Sequence, residues 1–150
     1  MSGWLLDTNV LSELRRARPS RKVSGFVAGE PLDGLYVSAV TFAEIRFGIE
    51  LVTDPAQRSD LTLWLDNKLR PMFDGRILEL NEDVLLKWRL IIEDGRKRGQ
   101  TFSHPDVLIA ATAAHHDAIV VTRNVDEFEA AGVSVFNPWT GKATPARSRS

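Results

Sequence analysis

The chain has 150 residues, enough for one domain that hides roughly 70% of its unfolded surface on folding, and its 43% hydrophobic and 26% charged residues make a second domain or a disordered chain unexpected. It has no cysteine, which excludes disulfides and thiolate metal ligands and suits a reducing cytosol; with no stretch near the ~20 apolar residues of a membrane span and no basic-then-apolar leader, the expected location is the cytoplasm. A formal net charge of -1 excludes a globally basic nucleic-acid binder but leaves room for local segregation of charge.

In chain order, short β-like segments are predicted at 3–6, 35–40, 76–80, 118–122 and 134–136, with helix-like segments between them; this alternation predicts a parallel sheet covered by helices. Asp7 follows the first strand, and a helix is expected from near Val10. A basic cluster follows: Arg15, Arg16, Arg18, Arg21 and Lys22. Residues 58–70 read as a helix with Leu61, Leu65 and Leu69 in register and Pro71 as its stop. Asn81 is a good N-cap for the next helix, with Glu82 and Asp83 at the positive end of its dipole. Val84, Leu85, Trp88, Ile91 and Ile92 form its apolar face, and Gly95 is expected to end it. Arg96, Lys97 and Arg98 make a second basic cluster. A helix from Pro105 to His116 carries a stripe of Val107, Leu108, Ala111 and Ala114, whose small residues predict close packing on the sheet. The tail 141–150 is basic, has almost nothing to bury, and is expected to be disordered.

Four acids, Asp7, Glu44, Asp106 and Asp126, each follow a strand-like segment or open a helix-like one. A parallel α/β sheet would gather them at the carboxyl ends of its strands, where such sheets place ligands. Carboxylates crowded there raise one another's pKa unless a cation neutralises them, and a hard divalent ion such as Mg2+ answers that need. A metal so held lowers the pKa of a water, orients it toward a phosphodiester and offsets charge on the departing oxygen. Each acid also has a structural reading. Thr41 and Glu44 have capping-box spacing, Asp7 and Asp106 can favour helix N-termini, and Asp126 can be a turn residue. Capping needs one polar group per helix, however, and does not require the acids to converge. Either basic cluster alone reads as a solvated helix end; beside an acidic pocket it can hold a phosphate backbone that the pocket repels. A histidine-centred site at His104, His115 and His116 is disfavoured, because adjacent residues on a helix face about 100° apart. Trp4, Trp64, Trp88 and Trp139 are expected in the core or an interface rather than as base-stacking platforms.

Residues 6–13, 38–45, 105–113 and 121–124 resemble, in order and spacing, the motifs of PIN-domain proteins, and most closely those of VapC and FitB type toxins. The resemblance runs from about Trp4 to Trp139, and Asn137-Pro138-Trp139 resembles the end of the last strand in the FitB-like branch. It implies a PIN-like three-layer α/β/α sandwich over residues 1–140, with a central five-stranded parallel sheet. It further implies an endoribonuclease dependent on Mg2+ or Mn2+, with the metal held by Asp7, Glu44 and Asp106. Thr8, Asn9 and Thr122 would support those carboxylates, their alternative being local turn bonds. Many relatives have an aspartate where this chain has Asn124, so two completions of the site stand open: Asp126, two residues on, or Asn124 through its amide oxygen or a water. The partners implied are RNA, a small VapB/FitA-like antitoxin, and a second copy of the chain in a homodimer. Arg15, Arg16, Arg46, Arg96, Lys97 and Arg98 are candidate RNA or antitoxin contacts, with Phe42, Phe47 and Ile49 lining an antitoxin groove. Two other readings compete. The missing acid at Asn124 makes a catalytically weak RNA- or partner-binding scaffold conceivable. An aspartyl-nucleophile phosphatase would need an Asp-x-Asp pair, which Asp7-Thr8-Asn9 lacks.

Overall fold

Leu5 and Leu6 are adjacent, both fully buried, and belong to different cores. Successive strand residues point to opposite faces of a sheet, so a strand buried at both positions must be covered on both sides. In a computed structural model, which describes residues 3–147, this strand is β1 (Trp4–Leu6). Its parallel neighbours are β2 (Leu35–Ser38) and β4 (Ile119–Val121). β3 (Ile77–Leu78) extends the sheet beyond β2, and β5 (Val135–Asn137) beyond β4, giving the parallel order β3-β2-β1-β4-β5. Val120 and Val121 repeat the division seen at Leu5 and Leu6, one into each core.

Helices fill both outer layers. α1 (Thr8–Arg15), α2 (Arg21–Gly29) and α3 (Ala39–Glu50) contribute Val10, Leu11, Val23, Phe42 and Ile45 to one core. α6 (Glu82–Lys97), α7 (His104–His116) and α8 (Val125–Ala130) contribute Val84, Val107, Ala110 and Phe128 to the other. The three-layer α/β/α sandwich expected from the sequence is therefore present. Chain order reverses at β1: the chain runs outward to β3, then returns to β4 on the other side. Such a reversal opens a crevice at the carboxyl ends of the two strands.

The structure departs from the sequence reading in several places. Lys142–Thr144, expected in a disordered tail, pairs as β6 antiparallel to β5, so the sheet has six strands rather than five. The Asn137–Gly141 turn returns the chain to an unpaired sheet edge, where backbone bonds need no apolar side chains, and Arg147 N–H then bonds Gly132 O at 3.0 Å. Residues 148–150 of that tail lie outside the described residues.

Pro71 does not stop its helix. α4 (Pro55–Trp64) passes through a π-turn at Leu65–Leu69 into α5 (Arg70–Met72), with Arg70 N–H bonded to Leu65 O. The wider i→i+5 turn accommodates the proline ring and its missing donor. Gly95 does not end α6 either; it is buried inside the helix, and a Cβ there would meet the Phe102 ring at 2.4 Å. Leu85, assigned to the apolar face of α6, is 40% exposed. No helix among the described residues is long and apolar enough to cross a membrane.

Candidate active site

Asp7 stands where β1 hands over to α1. The pairing of Leu6 with Val121 sets Asp7 beside Thr122 at the end of β4, and Asp7 N–H donates to Val121 O at 3.0 Å. The Thr122 hydroxyl donates to Asp7 Oδ2 at 2.8 Å, Thr8 N–H donates to Oδ1 at 2.8 Å, and Asn9 Nδ2 reaches Oδ2 at 3.4 Å. Asn9 also donates to Thr122 Oγ at 3.1 Å. Asp7 is 4% exposed and Thr122 fully buried. Burial pushes the Asp7 carboxyl above its ordinary value, and the bonds from Thr122 and Thr8 only partly offset this. Thr8, Asn9 and Thr122 thus do surround the first acid. The capping reading of Asp7 holds as well, since its side chain also caps α1.

Asp106 sits in the first turn of α7. Asn124 Nδ2 donates to its Oδ2 at 2.6 Å and to Glu127 Oε2 at 3.3 Å. Glu127, on α8, accepts the Ser103 backbone N–H at the start of α7 and is hydrogen-bonded to Asp106. Burial, that bond and the negative charges of Asp7 and Glu127 push Asp106 up to about 7; Asn124 opposes the shift. Burial also acts upward on Glu127, but the bonds it receives from Asp106, Ser103 and Asn124 outweigh it and hold its carboxyl below the ordinary value. The two shifts have opposite signs, so of the pair Asp106 holds a proton more readily.

Glu127 was not singled out in the sequence, whereas Asp126 was. Neither acid lines the cavity itself: Asp126 is exposed, while Glu127, about 100° round α8, is bonded to the cavity-lining Asn124. The available signal was the spacing: Asn124 is the N-cap residue of α8 and Glu127 stands three places on, the N-cap and N3 positions of a helix start. Of the two completions left open by the sequence, the structure places Asn124 in the cavity wall and Asp126 outside it.

Glu44 lines the same cavity, which measures about 600 Å³ and holds Asp7, Asp106 and Asn124 along one wall. The expected capping box at Thr41 does not form. α3 starts three residues earlier than such a box requires, with the Ser38 hydroxyl accepting Val40 N–H at 3.1 Å. Thr41 is consequently inside the helix, its buried hydroxyl without a partner among the described residues, and Glu44 faces the cavity.

The basic residues divide. Arg16 lines the cavity but is paired with Glu13 at 3.2 Å. Arg15 lies over the Trp64 ring, Arg96 pairs with Glu93 and Arg98 with Asp94; these, Arg46 and Lys97 are outside the cavity. Arg123, absent from the candidates, lines it with its guanidinium 5.0 Å from the Trp139 ring. Of the expected antitoxin groove, Phe42 and Ile49 are core residues and only Phe47, 59% exposed, faces outward. His115 and His116 lie at the opposite end of α7 from Asp106, which removes the histidine-centred site.

The donor set facing the cavity is all oxygen, as a hard divalent cation requires. Among the described residues no three carboxylate or imidazole groups already stand as a ligand cluster. Asp7, Glu44 and Asp106 nonetheless bring negative charge to one cavity, so the residues fit a hard divalent cation.

The PIN domain family model matches residues 4–133. The toxin FitB of Neisseria gonorrhoeae is 38% identical over 135 residues, spanning 90% of this chain and 97% of that protein. A VapC ribonuclease, Y4jK, of Sinorhizobium fredii is 36% identical over 135 residues, 90% and 96% of the two chains. The crystal structure of FitAcB from Neisseria gonorrhoeae superimposes with a TM-score of 0.86, 38% identity, and coverage of 91% and 98%.

Proposed function

The chain belongs to the PIN-domain family, among the VapC and FitB toxins, and we propose that it is the RNA-cleaving toxin of a toxin–antitoxin pair, an endoribonuclease dependent on Mg2+ or Mn2+. The observation that carries the reading is the meeting of Asp7, from β1, with Glu44, from α3, and Asp106, from α7, in one cavity, with Asn124 bonded to Asp106. A cap or a turn requires none of these groups to meet.

In this reading Asp7, Glu44 and Asp106, which line one cavity, hold the ion, and Glu127 is tied to Asp106 through the Asn124 amide. The bound ion supplies Lewis-acid polarisation of the phosphodiester and a water of lowered pKa. The protein's own groups do the rest. Thr122 and Thr8 fix the Asp7 carboxylate in one rotamer, Asn9 braces Thr122, and Asn124 orients Asp106. Asp106 must shed its proton before it can hold a cation, which ties metal uptake to pH. The same exposed acidity suits control by a small antitoxin whose tail places an arginine among the carboxylates, and the FitAB complex bound to a DNA fragment is a 38% identical neighbour in which toxin and antitoxin are found together.

Purified protein freed of antitoxin should cleave single-stranded or looped RNA when Mg2+ or Mn2+ is added. Asp7→Asn and Asp106→Asn should each lower the rate more than about a hundredfold, beyond what loss of a ligand's supporting partner costs. Two folded variants that cut as fast as the parent would refute the reading.

A further inference from the structure

The acids that suit the site to a cation make it hostile to a polyanion. A phosphodiester chain entering a cavity walled by Asp7, Glu44 and Asp106 meets like charge before it meets any ion, so some cation of the protein must hold it at the rim. Two arginines line the cavity. Arg16 is already engaged, its guanidinium bonded to both carboxylate oxygens of Glu13 at 3.2 and 3.4 Å. Arg123 makes no salt bridge or side-chain hydrogen bond among the described residues. It is nonetheless held in place. Its backbone N–H donates to Asn9 Oδ1 at 3.3 Å, it directly follows Thr122, whose hydroxyl is bonded to Asp7, and its guanidinium carbon lies 5.0 Å from the centre of the half-buried Trp139 ring. The Trp139 backbone is held by its main-chain N–H donating to Asn137 Oδ1 at 2.9 Å. A guanidinium resting on an indole keeps its in-plane N–H groups available while losing much of its rotamer freedom before any ligand arrives.

We propose that Arg123, oriented by Trp139, binds the phosphate of single-stranded RNA adjacent to the bond that is cut, with Arg123 as the binding residue and Trp139 as the positioning residue. This rests on the nuclease reading above. The planar fork of donors matches two phosphate oxygens at once, which an ammonium group does not, so the site discriminates between arginine and lysine as well as between charge and no charge.

The test uses the Asp106→Asn protein, which should bind RNA without cutting it, and fluorescence anisotropy with a labelled single-stranded RNA over a range of salt. Adding Arg123→Ala should weaken binding about tenfold or more, the loss of one charge-assisted contact, and lower the slope of log affinity against log salt by about 0.7, the value for one single-strand phosphate. Arg123→Lys should keep the slope and lose affinity. Trp139→Ala should lose affinity through the misplaced arginine, whereas Trp139→Phe, which retains an aromatic face, should restore most of it; a purely structural tryptophan would leave the salt slope untouched in both. If the Asp106→Asn protein binds RNA and Arg123→Ala changes neither affinity nor slope, the Arg123 assignment is wrong and the nuclease reading survives. If that protein binds no RNA and the parent cuts none, the nuclease reading falls and takes this one with it.

Discussion

The Asn124 amide nitrogen lies 2.6 Å from Asp106 Oδ2 and 3.3 Å from Glu127 Oε2, one donor group serving two acids. A neutral donor at this place bonds two carboxyls at once. A third carboxylate would drive them apart. The residue that departs from the usual family motif is thus the one that organises the metal-free site.

Asn124→Asp should therefore separate stability from metal response. In EDTA the variant should be destabilised by about 1 kcal/mol, since it trades a hydrogen bond for repulsion at an exposed position. With Mn2+ present it should gain more in melting temperature than the parent does. Equal melting temperatures in EDTA and equal gains with Mn2+ would show that the amide has no such role.

The positions of Glu127 and Asp126 on α8 make a sharp pair. Glu127→Gln, which alters the group bonded to Asn124, should lower RNA cleavage strongly, while Asp126→Asn, on an exposed side chain without such a bond, should leave it near the parental rate. The reverse result would restore Asp126 as the fourth acid.

Stability of the metal-free protein should fall as pH rises from about 4 to about 7. Asp106 keeps its proton in the folded protein up to about 7 but loses it near 3.8 when unfolded, so between those values the native state binds more protons and each rise in pH favours unfolding. Asp7, also raised, acts in the same direction. Glu127 is lowered, so its contribution is present above the ordinary glutamate value and is lost only in acid below that window. Melts in EDTA at pH 5 and pH 8 should show the lower temperature at pH 8, with Asp106→Asn flattening the difference. Cleavage should rise through the same pH range, because a protonated Asp106 cannot hold the ion.

Binding of Mn2+ to the native state alone should stabilise it by about 2.7 kcal/mol at a hundredfold excess over its dissociation constant, or several degrees in a chain of this size. Glu44→Gln and Asp106→Asn should reduce that gain while leaving the metal-free protein as stable as the parent or more so. A parent indifferent to millimolar Mn2+, with both variants destabilised equally in either buffer, would return these acids to a capping role.

The protein is expected to be a homodimer that takes up a small antitoxin. Light scattering of the chain alone, and then after co-expression with the reading frame directly upstream, should report a dimer and a larger hetero-oligomer. A monomer that ignores that neighbour would contradict this.

What the sequence determined by itself was the alternation of strands and helices, the covering of a parallel sheet by helices, and the placing of Asp7 after a strand and Asp106 at a helix start. These follow from local periodicity and from the chirality of parallel crossovers, which act over short stretches of chain. Tertiary structure alone decided how the acids stand to one another. Asp126 and Glu127 are neighbours in sequence, and only the packing of α8 against the start of α7 turns the second toward Asp106. It also decided that a tail with little to bury finds partners on an open sheet edge, where backbone rather than side chains supplies the bonds. Arg123 was invisible for the same reason: an isolated arginine acquires meaning only when a tryptophan sixteen residues on folds back beneath it at the mouth of an acidic cavity.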